Sequence, residues 1–228
     1  MSKVGVILLS FLLLTELLAA QNTREDSLLS LIPEANSKRR VEIYLKLSSL
    51  TMSNNPEKSL KFAKNALEIS SGLDLPLLKA QSLEACAASD FNQSHYIQTL
   101  ECLKSACQIY KEEHYAAGMA SCLNLLGASY DRLGNYVDAL AAYQKSLAIE
   151  QEIGDRRSVA KALNNLGLIY RNLGDFTHAL SLFEKARELS IQLNDSIGIV
   201  YTQNNVGLIL LDLDVTTMHF PVSFMFLR

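Results

Sequence analysis

A spacing of 40 residues at which the sequence repeats itself limits the fold of this chain more than any other feature. Residues 123–127, 163–167 and 203–207 align at that spacing, and each segment ends in glycine after an apolar residue. Two fainter copies precede them, so four full copies and half of a fifth cover residues 38–213. Such self-similarity is typical of a repeat protein, in which each unit packs mainly on its neighbours.

Each unit predicts two antiparallel helices. In the clearest unit, the apolar residues from Leu163 to Tyr170 follow the i, i+3, i+4, i+7 pattern of one buried helical face. Gly174 then ends the first helix, because glycine accepts a left-handed backbone without penalty. Asp175 is placed to cap the second helix by accepting a backbone N–H. Strand-like alternation is lacking, so an all-α fold is predicted.

The repeated residues resemble the tetratricopeptide repeat. The residues that carry the resemblance in the clearest unit are Leu166, Gly167, Tyr170, Ala179, Phe183 and Ala186. The unit of 40 residues is longer than the roughly 34 residues usual in that family. The resemblance implies a right-handed superhelical solenoid of antiparallel helix pairs. It also implies a concave groove, lined by the first helices, that holds a peptide or a partner helix.

One asparagine per unit is expected on the groove, at Asn124, Asn164 and Asn204. A side-chain amide both donates and accepts hydrogen bonds, so this column could bind the backbone of an extended peptide. The competing interpretation is that these asparagines are surface residues between helices. The other residues predicted to line the groove are Lys161, Arg171, Leu168, Asp131 and Tyr201.

No catalytic site or cofactor is expected. The four histidines are scattered over different units, and neither a metal-ligand spacing nor a nucleophile or phosphate-binding motif occurs. The net charge of −3 and the lack of a dense basic patch argue against a nucleic-acid partner. The sequence therefore predicts a protein that is not an enzyme and that binds a protein or peptide.

Residues 1–20 have the pattern of a secretory signal peptide, followed by a lead segment at residues 21–37. Lys3 precedes the apolar run from Val4 to Leu14, and small residues end at Ala20. We therefore expect an exported protein of the periplasm or another extracytoplasmic space. An uncleaved membrane anchor is the alternative, although the run is shorter than the ~18 residues of a spanning helix.

Residues 214–228 depart from the repeat and are interpreted as an aberrant tail. Pro221 would fall inside the helix expected there and would break it. This predicts that the reading frame is lost near Asp214 or that the chain is a fragment; a short tail that folds back is the alternative.

The layout of an export signal followed by 40-residue repeats resembles the exported front half of some bacterial membrane-bound sensor kinases and regulators. The second hypothesis is thus that the chain is the ligand-sensing part of such a signalling protein. A third is that it is a component of an envelope assembly machine.

The cysteines at positions 86, 102, 107 and 122 each fall within a predicted helix. Their spacing is not that of a disulfide framework or a zinc site, so we interpret them as small buried residues. A bridge between Cys86 and Cys122 is the alternative that the sequence leaves open.

Overall fold

The computed structural model describes residues 23–219, with side chains for residues 23–213. All the regular secondary structure within this part of the chain is helical, which confirms the predicted all-α class. The predicted signal peptide and the end of the predicted tail, residues 220–228, lie outside the described residues.

A first compact unit extends to His114. Its helices are α1 (residues 23–30), α2 (Ser37–Thr51), α3 (Pro56–Ser71), α4 (Pro76–Asn92) and α5 (Tyr96–Glu112). Within this unit, α2, α3 and α4 each pack against the helix that follows. Ile43, Leu47 and Phe62 form a core between α2 and α3, and Leu28 and Leu29 from α1 pack against it. The lead segment thus covers the apolar face that the first helix pair would otherwise expose.

A second compact unit begins at Tyr115. Its helices are α6 (Ala116–Arg132), α7 (Tyr136–Ile153), α8 (Arg156–Asn172), α9 (Phe176–Gln192) and α10 (Ser196–His219). Three apolar clusters follow one another between α7 and α8, α8 and α9, and α9 and α10. Helices α7, α8 and α9 therefore each pack against both of their neighbours, as expected for stacked repeats.

The turns between helices follow the predicted chemistry. Helix α8 ends at Asn172, and Gly174 adopts a left-handed backbone with φ of 78°. The Asp175 carboxylate then caps α9 by accepting the His178 backbone N–H at 3.1 Å. At the start of α3, Asn55 caps in the same way, and Pro56 occupies the first helical position.

Helix α10 is longer than the helices equivalent to it. It has 24 residues, whereas α6 and α8 have 17 each. Asp214 stands where Gly134 and Gly174 make left-handed turns in the earlier repeats. Ser94 makes the same left-handed turn between α4 and α5 with φ of 62°, so glycine is not required there, but in α10 the helix continues past residue 213. No helix in residues 23–219 combines the length and apolarity that crossing a membrane requires.

Cys86 is buried in α4, and both it and Cys102 in α5 carry free thiols. The Cys86–Cys122 bridge that the sequence allowed is therefore not formed, and the interpretation of the cysteines as residues outside any disulfide is wrong for Cys107 and Cys122, which are disulfide-bonded. Burial raises the pKa of the Cys86 thiol to about 12. The thiol is protonated at neutral pH and behaves as a small apolar residue.

The two helices of a repeat approach most closely where an aromatic ring lies against a glycine. A Cβ atom added to Gly167 would lie 2.6 Å from Cε1 of Phe183, and one added to Gly127 would lie 2.8 Å from Cδ1 of Tyr143. The Phe183 ring also packs against Ile209 of α10. The glycine thus lets one side chain join both helices of its own pair to the next repeat.

Gly167→Ala is expected to lower the free energy of unfolding by roughly 1–3 kcal/mol, because the new methyl group overlaps the buried Phe183 ring. The matched control is Gly207→Ala at the equivalent position of α10, where no described atom lies within 4 Å of the added Cβ. Alanine forms helix better than glycine, so the control should stabilise by about 0.5–1 kcal/mol. Urea unfolding followed by circular dichroism measures both variants. Equal effects of the two substitutions would refute the packing argument.

Candidate functional site

Hydrogen bonds between side chains join the first helices of successive repeats in the second unit. Asn165 of α8 donates through Nδ2 to Oδ1 of Asn124 in α6, at 3.0 Å. Asn205 of α10 donates in the same way to Asn164 of α8, at 2.8 Å. Both pairs are 41 residues apart, one more than the repeat. We call these two hydrogen bonds the asparagine rungs.

A second pair of contacts lies two helical turns further along the same helices. Asn172 donates to Oδ1 of Asp131 at 3.1 Å, and the Arg171 guanidinium forms an ion pair with Asp212 at 2.7 Å. These contacts also join residues 41 apart, and we call them the charged rungs. Burial raises the pKa of Asp131, while the hydrogen bond from Asn172 opposes the shift.

Five of the eight residues predicted for the groove line one cavity of about 430 Å³ along α6, α8 and α10. They are Asn124, Lys161, Asn164, Leu168 and Tyr201. Lys161 and Tyr201 are exposed, and Tyr201 leaves 64% of its surface accessible. The cavity therefore presents a cation, an aromatic ring and side-chain amides on one surface.

The other three predicted residues lie elsewhere. Asp131 and Arg171 take part in the charged rungs and do not line the cavity. Asn204 is exposed on α10, and its neighbour Asn205 takes the place on the cavity wall. The predicted positions therefore do not hydrogen-bond to one another as one column. Each asparagine rung instead joins Asn124 or Asn164 to the second asparagine of the pair in the next first helix, Asn165 or Asn205.

A second cavity, of about 250 Å³, lies one repeat earlier and shares Asn124 and Lys161 with the first. Its lining also includes Ser121, Glu150, Asp155 and Ser158. Residues 120, 124, 150, 155, 158 and 161 correspond at the 40-residue spacing to residues 160, 164, 190, 195, 198 and 201 of the first cavity. The two cavities are therefore copies of one repeated site, side by side on the first helices.

The carboxylates of the second cavity have different environments. Glu150 is 6% exposed, and burial raises its pKa above the usual 4.5, although a hydrogen bond with Ser146 opposes the shift. Asp155 is exposed, and its pKa is lowered first by the hydrogen bond from the Ser158 hydroxyl and then by that from the Ser158 backbone N–H. The Asp155 side chain caps α8, so its negative charge stabilises the N-terminus of that helix.

Sequence reasoning missed Asn165, Asn205 and Glu150. The paired asparagines at 164–165 and 204–205 were the available signal for the rungs, because two adjacent polar residues recur beside a buried face. Glu150 gave no such signal, since it is acidic in one repeat only. In the described part of the chain, no three His, Cys, Asp or Glu side chains come together as a metal ion would require.

Asn164→Ala is expected to lower the free energy of unfolding by roughly 1–3 kcal/mol, because the buried amide of Asn205 then loses its acceptor. The matched control is Asn204→Ala, which removes the same side chain from an exposed position and should change stability by less than about 0.5 kcal/mol. Thermal and urea unfolding followed by circular dichroism report both values. If the two variants unfold alike, the asparagine rung does not stabilise the repeat.

Comparison with solved structures identifies the fold. Aspartyl phosphate phosphatase F from Bacillus subtilis superposes with a TM-score of 0.74 at 19% identity, over 82% of this chain and 50% of that one. A Rap protein complexed with competence and sporulation factor gives 0.69 at 19% identity, over 73% and 47%. A signal transduction ATPase with a tetratricopeptide repeat sensor, from Pyrococcus horikoshii, gives 0.66 at 18% identity, over 78% and 28%. The chain thus spans half or less of the length of these proteins, and the likeness shows the fold alone.

Comparison of the sequence with protein-family models identifies the type of repeat. No curated protein sequence matches the chain. Models of the tetratricopeptide repeat match residues 120–153 and residues 158–214, which include all four rungs and every residue that lines the first cavity. The predicted resemblance is therefore confirmed at the level of the repeat: the second unit carries tetratricopeptide repeats, and the chain has the fold of a tetratricopeptide-repeat solenoid.

Proposed function

We propose that this chain is a protein-interaction scaffold that binds a peptide segment or a helix of a partner protein along α6, α8 and α10. The observation that carries the proposal is the pair of adjoining cavities, which share Asn124 and Lys161 and extend over three successive first helices. A surface that repeats along the stack suits a ligand that is itself extended.

The side chains of this surface offer what peptide recognition needs. The asparagine rungs use Oδ1 of Asn124 and Asn164, and their Nδ2 groups have no partner among the described residues. These N–H groups point to recognition of carbonyl oxygens of a bound backbone rather than of its N–H groups. Tyr201 adds an aromatic side chain of a type that often dominates binding energy, and Lys161 adds a positive charge.

Two of the fold neighbours support a binding role. One of them is a Rap protein solved with competence and sporulation factor, and another contains a tetratricopeptide repeat sensor. Tetratricopeptide repeats serve in general as scaffolds without a catalytic site, and we extend this to the present chain. The ligand is then held by shape and hydrogen bonds, with no cofactor taking part.

The test uses a phage-displayed library of random dodecapeptides, selected on the immobilised full chain. Enriched sequences are synthesised with a fluorescent label, and their Kd is measured by fluorescence anisotropy. The double variant Lys161→Ala/Tyr201→Ala should weaken binding at least tenfold, since truncating two central contacts typically costs more than 1.4 kcal/mol. Asn124→Ala and Asn164→Ala should also weaken it several-fold, but these variants disturb the rungs as well.

The matched control is Lys145→Ala/Val137→Ala, which removes an exposed cation and an exposed apolar side chain from α7, outside both cavities. Its Kd should stay within about twofold of the original. The proposal fails if no peptide is enriched over a blank surface. It also fails if the cavity variant binds enriched peptides as tightly as the control variant does.

We further propose that the protein acts outside the cytoplasm, because the residues from Lys3 to Ala20 have the charge and apolar pattern of an export signal. The second candidate function is the ligand-sensing part of a membrane-bound signalling protein of the sensor-kinase or regulator class. The neighbour with a tetratricopeptide repeat sensor favours it, because there the same fold forms a small part of a signalling ATPase.

Fractionation of source cells separates the two candidates. An antibody against residues 158–172 should detect a band slightly below 25.3 kDa in the soluble exported fraction if the chain is a free scaffold. A much larger band in the membrane fraction would instead support the sensor. A band confined to the cytoplasm would contradict the proposed export.

A further inference from the structure

Glu150 is held in an unfavourable position for a carboxylate. It lies in the last turn of α7, where the negative end of the helix dipole disfavours a second negative charge. The residue is 6% exposed, and its Oε2 atom has no hydrogen-bond partner among the described residues. A buried polar atom without a partner is costly, so its presence requires an explanation.

The hydrogen bond to the other oxygen compensates Glu150 only in part. The Ser146 hydroxyl lies 3.1 Å from Oε1 of Glu150, but it also lies 2.8 Å from the carbonyl oxygen of Ala120. One hydroxyl has a single proton to donate, and the backbone carbonyl is the nearer acceptor. Among the side chains that the structure describes, the carboxylate therefore has at most one shared donor.

The equivalent residues in the other second helices are neutral. They are Ser70 in α3, Tyr110 in α5 and Ser190 in α9, and all three are buried. Ser70 donates to the Leu67 carbonyl, and the Tyr110 hydroxyl donates to Glu84. Three of the four second helices thus place a neutral hydroxyl-bearing residue at this position, and packing of the repeat does not account for a carboxylate in α7.

The cavity beside Glu150 has the size and charge to accept one basic side chain. Its volume of about 250 Å³ far exceeds the ~30 Å³ share of one water, but lies below the range of about 300–1,000 Å³ for whole small-molecule ligands. Glu150 and Asp155 face it with two carboxylates, against the single ammonium of Lys161. Lys161 forms no ion pair within 4 Å with a described carboxylate, so the Glu150 carboxylate is not neutralised from the cavity side and its buried Oε2 atom keeps no donor.

We infer that the cavity around Glu150 is a subsite that binds a lysine or arginine side chain of the bound peptide, through a charge-assisted hydrogen bond to the Glu150 carboxylate, which turns toward the incoming cation. The inference rests on the proposed peptide-binding function and names the residue class that this part of the groove selects. The incoming cation supplies the donor that the protein itself lacks, and a guanidinium provides several such donors in one plane.

The direct test uses two capped amino acids that differ in charge and not in shape, N-acetyl-arginine amide and N-acetyl-citrulline amide. Each is titrated into the full chain, labelled with ¹⁵N, and amide shifts are followed by NMR. The arginine probe should bind with at least tenfold lower Kd than the citrulline probe, with shifts centred on residues 146–161. Glu150→Gln should remove this preference, so that both probes bind alike.

Glu152→Gln is the matched control, because Glu152 is exposed on the same helix turn and does not line the cavity. It should keep the preference for arginine. If Glu150→Gln keeps the preference too, or if wild type binds both probes equally, the subsite does not exist. The second result is the one expected of a Glu150 that stays protonated and only fills space.

Peptide selection separates this inference from the proposed function. Enriched peptides with a lysine or arginine at one fixed position, lost when selection is repeated on Glu150→Gln, support both. Enriched peptides without a basic residue at a fixed position would support the proposed scaffold function and would refute the basic subsite. Binding of the arginine probe at Glu150 without enrichment of any peptide overturns the scaffold and leaves a cation site.

Discussion

The contact of an aromatic ring with a helical glycine is the constraint on which the second unit depends. Phe183 can lie against the backbone of α8 only because Gly167 has no side chain, and the same ring then reaches Ile209 of α10. Tyr143 and Gly127 repeat this arrangement one unit earlier. The distance between helices that results brings successive first helices within hydrogen-bonding reach of each other, which is what permits the rungs.

The sequence predicted the helices and their ends well, because glycine and aspartate act locally at residues such as Gly174 and Asp175. It predicted the groove less completely. A repeat of 40 residues shows which positions are equivalent, but the one-residue offset of each rung depends on how neighbouring helices pack, and the adjacent asparagines are its only trace in the sequence. Glu150 was missed for another reason: a search for what repeats passes over a residue that occurs in one copy only.

The polar side chains of the groove serve the fold and the candidate binding surface at once. In the asparagine rungs the oxygen of each accepting amide holds the next helix, while its N–H group remains for a ligand. One asparagine side chain therefore stabilises the fold through its oxygen and is placed to bind a ligand through its N–H group. The functional information is concentrated in residues that break the repeat, such as Lys161 and Tyr201, which occupy the same position in successive units with different chemistry.

The rungs also bear on the order in which the repeats can stack. Asparagine pairs with asparagine at both asparagine rungs, so this contact would form equally well if α10 packed directly on α6 and omitted α8. The charged rungs are not interchangeable, because Asp131 meets Asn172 and Asp212 meets Arg171. The skipped arrangement would set the carboxylates of Asp131 and Asp212 against each other, and like charges at that distance repel. The asparagine rungs thus hold any two repeats together, whereas the charged rungs favour the correct neighbour over a wrong one during folding.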